Sequence, residues 1–503
     1  MRTRWGFLEL LVFTVGAGSL GAEIAATRLL APWFGASTIV WANTIATVLV
    51  ALSVGYAVGG RLADRYPRPA VLAQIVLGAA VLLAVVPFVS GPFLRRAVSA
   101  VDDLSAAVFL GSLVGVGVLI AVPLLLLGMV SPYAIRLTID SVDATGRTAG
   151  RLYAISTVGS LVGTFLAALL LIPYVGTRRT FLIFAAAIAL AAVPQLVRFR
   201  LPAAVVPAAI IGLIALPTGT IKSSADGDRV IWEEETPYQY ARVLESPDGV
   251  RTLELDEGHA THSVYDPGRW LTDNYWDEMT ALAVGGARAA PRTVAVLGDA
   301  AGTSARQLGH YFPQTRVDAV ELDGALTDVG RRLFDLGGPN LHTYTADARP
   351  WLDRTHRQFD VILVDAFRQP YIPFYLTTRE FFTLVRDRLA PGGVVVVNCA
   401  QPEGSTVLEK ALSATMRSVF GPDRVWRDPS QRVNTMLVGA TPEAGDPASR
   451  LRAAAPQLSP DLAAVVSRAA GRIAPAMSGG EVFTDDRAPV EWMVDLSLAK
   501  QAQ

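Results

Sequence analysis

One stretch decides the fold of the C-terminal half of this chain: Arg292-Thr-Val-Ala-Val-Leu-Gly-Asp-Ala-Ala-Gly-Thr-Ser-Ala-Arg306. An apolar run ends in a turn that contains glycine, and a helical pattern follows the turn directly. This order is typical of the first strand and helix of a nucleotide-binding α/β sheet. Gly298 and Gly302 allow a tight turn and a close approach of the backbone to a ligand. We therefore predict that a Rossmann-like core begins here.

Three further predicted strands carry carboxylates at their ends: 316–323 carries Glu321, 341–345 leads to Asp347, and 359–364 leads to Asp365. Glu321 follows the glycines by about twenty residues, a spacing that suits hydrogen bonds to ribose hydroxyls. Because ligands of open α/β sheets bind at the carboxyl ends of the strands, we expect the glycine turn and these carboxylates to converge on one crevice. The alternative is that Asp347 and Asp365 only cap the turns that follow them.

A small antiparallel β-domain is predicted before this core. Two alternating runs flank the turn Pro247-Asp-Gly249, and an Asp-Gly pair between such runs is a strong hairpin signal. A helix is predicted to follow over 273–286, and a fifth core strand over 393–398. These signals place the β-domain at 221–270 and the Rossmann-like domain, of the class I methyltransferase-like type, at 271–503.

The N-terminal part of the chain is a predicted membrane domain. The chain is 51% hydrophobic, and long apolar runs with few charges fill the region before about residue 220. A bilayer core of about 30 Å needs roughly 20 apolar residues per helix. Seven stretches meet this length: about 7–32, 38–60, 70–91, 106–130, 149–173, 179–197 and 201–218. We predict a transmembrane domain of about seven helices over 1–220.

Small residues recur at helix-packing spacing within several of these stretches. Examples are Gly16 and Gly18 in the first stretch, Gly55 and Gly59 in the second, and Gly159 in the fifth. Glycine lets helix backbones approach closely in lipid, where packing rather than the hydrophobic effect drives association. We therefore expect the helices to form a compact bundle.

The composition excludes several kinds of partner and site. A formal net charge of -1 gives no concentrated basic face, so no nucleic-acid partner is expected. The one cysteine, Cys399, excludes an intrachain disulfide and a cysteine-rich metal site. His259 and His262 lie close together, but no acidic residue or further histidine stands at ligand spacing, so no metal site is predicted.

The order of these motifs resembles that of spermidine synthases, in particular their membrane-fused bacterial branch. The resemblance covers about 230–440 and runs from Tyr238-Gln239 through the strand-end carboxylates to Pro391-Gly-Gly393. Its most specific stretch is Asp365-Ala-Phe-Arg-Gln-Pro-Tyr-Ile-Pro-Phe-Tyr-Leu-Thr-Thr-Arg-Glu-Phe-Phe382. The resemblance implies transfer of aminopropyl from decarboxylated S-adenosylmethionine to putrescine or a related amine, with release of methylthioadenosine and without a metal or other cofactor.

The resemblance also implies which residues bind the nucleoside. They belong to the β-domain, the glycine turn and the later strand ends: Gln239, Gly298, Asp299, Gly302, Glu321, Asp347, Ala348 and Pro373. Glu321 would bind the ribose, and Asp347 with Ala348 would contact the adenine. Pro373 would line the adenine pocket.

The amine site implied by the resemblance centres on Asp365, which matches the general base of the family. A neutral amine that attacks the methylene beside a sulfonium needs a carboxylate that orients it and accepts its proton. The predicted amine-binding residues are aromatic or acidic: Tyr275, Trp276, Asp277, Asp365, Tyr371 and Asp486. Their aromatic rings could hold cationic substrates by cation–π contact.

The chain departs from the soluble family members at amine-binding positions. Ala301 stands where those members carry an aspartate, and Asp299 is the nearest carboxylate. Arg368 replaces a second acidic residue, a change that should repel a diamine. The late residues Asp485 and Asp486 are the candidates for supplying the missing carboxylates, unless they cap a C-terminal helix.

Two other functions stay compatible with the sequence. An S-adenosylmethionine-dependent methyltransferase would show the same glycine turn, ribose carboxylate and adenine aspartate, although the preceding β-domain and Asp365 argue against it. A polyamine transporter or sensor with a non-catalytic synthase-like domain would explain Ala301 and Arg368.

The predicted location is the cell membrane, where the chain would contact the lipid bilayer, nucleoside and polyamine substrates, and, in a homodimer, a second copy. The catalytic domain is expected in the cytoplasm, the source of its nucleoside substrate. The loops on the side of the N-terminus carry most of the arginines, which favours an N-terminus inside the cell. With seven spans, that orientation would place the catalytic domain outside, so the two arguments disagree.

Overall fold

The structure is a computed structural model that describes residues 2–35, 37–99, 107–139, 145–196, 200–217, 219–224, 227–258, 260–284, 290–367 and 371–501. The chain forms two compact units. The first unit comprises Met1–Ser223, Glu233–Tyr240 and Asp256–Gly258. The second comprises Ser224–Trp232, Ala241–Leu255 and His259–Gln503.

The first unit is a bundle of apolar helices. They are α1 (Arg2–Phe34), α2 (Thr38–Arg65), α3 (Pro69–Ser99), α4 (Ala107–Gly128), α5 (Val130–Thr138), α6 (Thr145–Phe165), α7 (Ile172–Ala192) and α8 (Arg200–Ile214). In the described ranges five helical segments are long and apolar enough to cross a membrane, rather than the predicted seven. The fifth of these segments, Thr145–Gln195, contains two of the predicted spans.

The segment Thr145–Gln195 is a helical hairpin. Its 51 residues would extend about 77 Å as one straight helix, far more than a bilayer core. Gly176 interrupts the helix with φ 82° and ψ 163°. Gly159 and Gly163 of α6 lie against Phe13 and Ala17 of α1, so these two helices run parallel.

Helix α7 runs in the opposite direction to α1. Gly18 of α1 lies against Ile188, and Gly21 lies against Phe184, so the residue numbers decrease along α7 as they increase along α1. Helices α6 and α7 are therefore antiparallel to each other. These close contacts confirm the expected packing through small residues.

The last predicted span forms a helix that is shorter than the bilayer core. Helix α8 has 15 residues, which gives about 22 Å and is less than the bilayer core. Close to its end, Pro217 accepts a hydrogen bond from Arg178 at 3.2 Å, at the beginning of α7 proper. Arg28, near the end of α1, donates to the carbonyl of Pro237. The chain thus leaves the bundle at the end opposite the N-terminus.

A single carboxylate caps the helix that restarts after Gly176. The Thr177 amide donates to Glu235 Oε2 at 2.7 Å, which satisfies a backbone donor that the preceding turn leaves free. Burial raises the pKa of Glu235, while the hydrogen bond from Thr177 and the charge of Arg28 lower it. A negative charge at a helix N-terminus is also favoured by the helix dipole.

We expect Glu235→Ala to lower the stability of the first unit by about 1 to 2 kcal/mol, because the cap is lost. Glu235→Gln keeps an acceptor and should recover part of the loss. The neighbouring Glu234 is exposed, so Glu234→Ala is the matched control. Thermal unfolding in detergent measures the difference, and equal midpoints for the two alanine variants would contradict this role of Glu235.

The predicted hairpin is present in a four-stranded sheet. Its strands are β1 (Arg229–Glu235), β2 (Tyr240–Glu245), β3 (Arg251–Leu255) and β4 (Thr261–Tyr265), in the order β1-β2-β3-β4. Strand β3 is antiparallel to both β2 and β4. Gly249 has φ 81°, as the predicted Asp-Gly turn requires.

The second unit contains an eight-stranded sheet. Its strands are β5 (Thr293–Leu297), β6 (Arg316–Glu321), β7 (Leu341–Thr345), β8 (Phe359–Val364), β9 (Leu389–Ala400), β10 (Val425–Asp428), β11 (Asn434–Ala440) and β12 (Ala474–Pro475). Its helices are α9 (Tyr275–Ala283), α10 (Thr303–Tyr311), α11 (Gly324–Leu333), α12 (Ala348–Arg354), α13 (Arg379–Arg388), α14 (Val407–Phe420), α15 (Pro447–Ala454), α16 (Pro460–Arg472) and α17 (Val490–Gln501).

The strand order is β12-β10-β11-β9-β8-β5-β6-β7. Strands β5 to β9 are parallel, whereas β11 is antiparallel to β9 and to β10. This arrangement confirms the predicted Rossmann-like fold with class I methyltransferase-like topology. The chain moves outward from β5 in both directions, so the carboxyl end of β5 is the switch point at which such sheets bind ligands.

Two predicted boundaries differ from the structure. Asn274 caps α9, so this helix begins at Tyr275 rather than at 273, and residues 285–289 lie outside the described ranges. Strand β9 begins at Leu389, earlier than 393. Phe359 pairs with Leu389 and Val361 pairs with Val394, so the residues between form a bulge.

Candidate active site

The glycine turn after β5 brings three strand ends together. Gly298 has φ 84°, and a Cβ atom there would lie 2.5 Å from the Cα of Ala366. The Gly298 amide donates to Val320 at 2.9 Å, and the Asp365 amide donates to Leu297 at 2.9 Å. The turn therefore lies directly against the backbone at the end of β8, where no side chain could fit.

The second half of the glycine turn forms hydrogen bonds with strand β4. Gly302 has φ 98° and is the N-cap residue that precedes α10. The Ala301 amide donates to Ser263 Oγ at 2.9 Å, and Thr303 Oγ1 accepts from the Val264 amide at 2.8 Å. The small sheet thus fixes the backbone of the glycine turn.

Glu321 lies at the end of β6, as predicted, and contacts the glycine turn. Its carboxylate accepts hydrogen bonds from the amides of Ala300 at 2.9 Å, Asp299 at 3.3 Å and Asp323 at 2.9 Å. Burial raises the pKa of Glu321, and these amide donors oppose the rise. A carboxylate offers about four acceptor positions, so one remains for a ligand hydroxyl.

Asp365 lies at the end of β8 and is surrounded by donors. Asn398 Nδ2 donates to its Oδ1 at 2.7 Å, and the polar groups of the Tyr275 and Trp276 side chains lie near enough to lower its pKa. Burial raises the pKa of Asp365 to about 7, against the lowering effect of these donors, and the charge of Glu321 adds to the rise. A base with a pKa near neutrality is suited to proton transfer at physiological pH.

Asp299 is the most enclosed carboxylate of the site. It is 7% exposed, and its Oδ1 accepts from the Ala305 amide at 3.3 Å. Burial first, and then the charges of Glu321 and Asp365, raise the pKa of Asp299 well above its usual range. Three carboxyl groups in mutual electrostatic contact favour a cationic ligand, which would lower the cost of ionising them.

Sequence reasoning missed two residues of this site. Asn398 is the last residue of the predicted fifth strand, but no role was assigned to its side chain. Asn434, on the neighbouring antiparallel strand β11, donates through Nδ2 to Asn398 Oδ1 at 2.9 Å. The sequence contains no signal for this pairing, because 36 residues separate the two asparagines.

The predicted adenine-binding residues lie at the start of α12. Asp347 caps this helix through a hydrogen bond from the Arg349 amide at 3.1 Å, which is the structural alternative considered for it. Its other oxygen accepts from the Tyr375 hydroxyl at 3.0 Å. Ala348 is buried, and Pro373 directly precedes the short helical turn Phe374–Leu376 that carries Tyr375.

Asp277 does not lie free for an amine. It is 3% exposed and accepts hydrogen bonds from the Thr272 amide and hydroxyl, the Asp273 amide and Gln307 Nε2, at 2.7 to 3.1 Å. These donors occupy both carboxylate oxygens. Asp277 therefore holds the loop before α9 in place, and its contact with the diamine stays a prediction.

Three other predicted residues have described surroundings of their own. Tyr371 is buried, and its hydroxyl donates to Asp495 of α17 at 2.6 Å. Asp485 forms an ion pair with Arg349 at 2.7 Å, and Asp486 is exposed. Their roles in amine binding stay predictions.

Three further residues named in the sequence analysis lie in the first unit or outside the described ranges. Gln239 belongs to the first unit. Its backbone amide donates to the Thr236 hydroxyl, and its carbonyl accepts from the amide and the hydroxyl of Thr236. Arg368 and His259 lie outside the described residues. Within the described ranges, no group of three or more His, Cys, Asp or Glu side chains could hold a metal ion.

Residues 274–424 match the spermine/spermidine synthase domain. The match begins at the start of α9 and includes the glycine turn, Glu321, Asp365 and Asn398. We refer to this region as the synthase-like domain.

Relatives of the chain carry names of the same kind. A probable polyamine aminopropyl transferase of Bifidobacterium longum is 34% identical over 54% of this chain, which covers 64% of that protein and thus less than two thirds of it. A polyamine aminopropyltransferase of Mycobacterium tuberculosis is 27% identical over 82% of this chain and 77% of that protein. That alignment is longer than the region after residue 220, so the likeness extends into the helical part.

Among solved structures, a probable spermidine synthase from Corynebacterium glutamicum is 24% identical to this chain. It aligns with 50% of this chain and 97% of its own length, with a TM-score of 0.39.

We expect Gly298→Ala to destabilise the synthase-like domain by about 2 to 4 kcal/mol, because the methyl group would collide with the backbone of Ala366 and φ is positive. Gly309 of α10 has nothing within 4 Å of an added Cβ, so Gly309→Ala is the matched control and should not destabilise. Thermal unfolding measures both variants. A Gly298→Ala variant as stable as the control would show that the turn can relax.

Proposed function

We propose that this protein is a polyamine aminopropyltransferase that uses decarboxylated S-adenosylmethionine and putrescine or a related amine. The observation that carries the proposal is Asp365, a carboxylate with a pKa of about 7 at the ligand-binding end of the sheet, with Tyr275 and Trp276 beside it. The match of residues 274–424 to the spermine/spermidine synthase domain supports the same reading.

The proposed reaction is a nucleophilic substitution at carbon. The ionised Asp365 accepts a proton from the attacking amine, which leaves a nitrogen lone pair free. The amine nitrogen forms a bond to the aminopropyl methylene while the bond between that carbon and the sulfonium sulfur breaks. Both electrons of the broken bond go to sulfur, so methylthioadenosine leaves as a neutral thioether.

The nucleoside would lie across the carboxyl ends of β5, β6 and β7. Glu321 keeps an acceptor position for the ribose, while Asp347, Ala348 and Pro373 would surround the adenine. Gly298 and Gly302 present bare backbone at the two ends of the turn. This placement agrees with the switch point of the sheet.

The amine site that we propose is smaller than the sequence predicted. Asp277 and Tyr371 use their polar atoms in hydrogen bonds within the protein. The remaining groups are the carboxylates of Asp365 and Asp299 and the rings of Tyr275 and Trp276, whose centroids are 4.3 Å apart. Negative charge and aromatic faces both favour a protonated amine.

The test is incubation of the purified full-length protein with putrescine and decarboxylated S-adenosylmethionine. We expect spermidine and methylthioadenosine in equal amounts. Asp365→Asn should lower kcat/KM by about 10²- to 10⁴-fold, because the proton acceptor is lost. Asp387→Asn, at an exposed aspartate of α13, is the matched control.

The pH dependence provides a second measurement in the same assay. Asp365 must be ionised to accept a proton, so kcat/KM should fall as the pH drops below about 7. Methyl transfer from S-adenosylmethionine without spermidine formation would make the protein a methyltransferase, whose topology it shares. Polyamine binding without turnover of either nucleoside would favour a sensor or transporter.

We propose that the protein is a multi-pass protein of the cell membrane in which the N-terminus and the exit of the chain from the bundle lie on opposite sides. The support is the direction of the helices: α1 and α6 run parallel, α7 runs back, and Pro217 lies beside the start of α7. Five helical segments that are long and apolar enough to cross a membrane agree with insertion.

Thiol labelling tests this placement. Cysteines are introduced separately at Pro67, in the loop after α2, and at Thr220, after α8; both positions are exposed, whereas the native Cys399 is buried. In intact cells an impermeant maleimide should label one of the two cysteines and not the other. Labelling of both before permeabilisation would refute opposite sides. The protected position identifies the cytoplasmic face, which the arginine count and the substrate argument assign differently.

A further inference from the structure

Two buried asparagine side chains extend the surroundings of Asp365 into the interior of the sheet. Asn398 is 2% exposed at the end of β9, and Asn434 is 9% exposed at the beginning of β11. Asn434 donates to Asn398 at 2.9 Å, and Asn398 donates to Asp365 at 2.7 Å. Buried amides without a ligand-binding role are costly in a sheet core unless their hydrogen bonds are satisfied.

The direction of these hydrogen bonds matters for proton transfer. An ionised carboxylate only accepts hydrogen bonds, whereas a protonated carboxyl group also donates one. The side-chain amide of Asn398 has a donor end and an acceptor end. With its NH₂ group toward Asp365 it stabilises the ionised acid, and with its oxygen toward Asp365 it would stabilise the protonated acid.

We propose that Asn434 is a positioning residue that holds the Asn398 amide with its NH₂ group toward Asp365. With Asn434 in its observed orientation, a rotated Asn398 amide would direct its NH₂ group at the NH₂ group of Asn434, and neither group would have an acceptor there. The proposal rests on the proposed function of Asp365 as the base. Asn434 acts through Asn398 and does not itself contact the reacting atoms.

The orientation of the Asn398 amide matters because of the other groups around Asp365. From α9, Tyr275 and Trp276 face Asp365, and from the neighbouring strand ends the carboxyl groups of Glu321 and Asp299 face it. The acidic neighbours and the burial favour the protonated acid, which cannot accept a proton from an amine. The amide of Asn398 opposes them only while its donor end faces Asp365.

The test is the pH profile of kcat/KM for Asn434→Ala. We expect the acidic limb to move upward by about one pH unit, so that activity falls roughly tenfold at pH 6 and less than about twofold at pH 9. Asn434→Asp has nearly the same shape but replaces the donor by an acceptor, so it should move the limb further. Asn340, whose amide donates to Pro313, provides the control Asn340→Ala, with no expected movement.

A second measurement does not depend on turnover. Infrared titration of the carboxyl C=O band of Asp365, assigned by its loss in Asp365→Asn, should give a higher pKa in Asn434→Ala than in the wild type. A uniform loss of activity at all pH values with an unchanged infrared pKa would overturn the proposal and leave Asn434 a structural residue. If the wild type forms no spermidine but the infrared pKa rises in the variant, the proposed function fails while the positioning role stands.

Discussion

The contact on which the synthase-like domain depends is the close approach of the glycine turn to the end of β8. Gly298 lies against the backbone of Asp365 and Ala366, and the main chain of β5 forms hydrogen bonds with the strand ends on both sides. This approach leaves no room for a side chain, and it places the carboxylates of adjacent strands in one crevice. Without it, Asp299, Glu321 and Asp365 would not affect one another's pKa.

Among the described residues, neutral hydrogen-bond donors stabilise these carboxylates. Backbone amides of the glycine turn donate to Glu321, Asn398 donates to Asp365, and the polar groups of Tyr275 and Trp276 also lower the pKa of Asp365. None of these named donors carries a charge. A neutral donor stabilises an ionised carboxylate without competing with a cationic substrate for it.

The fold could be predicted largely from local patterns. Strands β5 and β8 are short apolar runs followed by a glycine or an acid, and the parallel order follows from strands alternating with helices. The same reasoning failed where a side chain's partner is distant in sequence. The hydrogen bond of Asp277 with Gln307 was not predicted, and Asn434 gains its position only through pairing of β11 with β9. The helical hairpin at Gly176 was predictable as two spans, but its cap was not.

The cap on α7 has a consequence for the order of synthesis. Thr177 and Glu235 are 58 residues apart, and the first compact unit also includes Asp256–Gly258. The apolar helices therefore leave the ribosome before the residues that complete their unit. During that interval the N-terminus of α7 has no carboxylate partner, and the bundle can reach its final form only after the β-strands that follow it have been made. The first unit is thus completed by residues that are synthesised after all of its apolar helices.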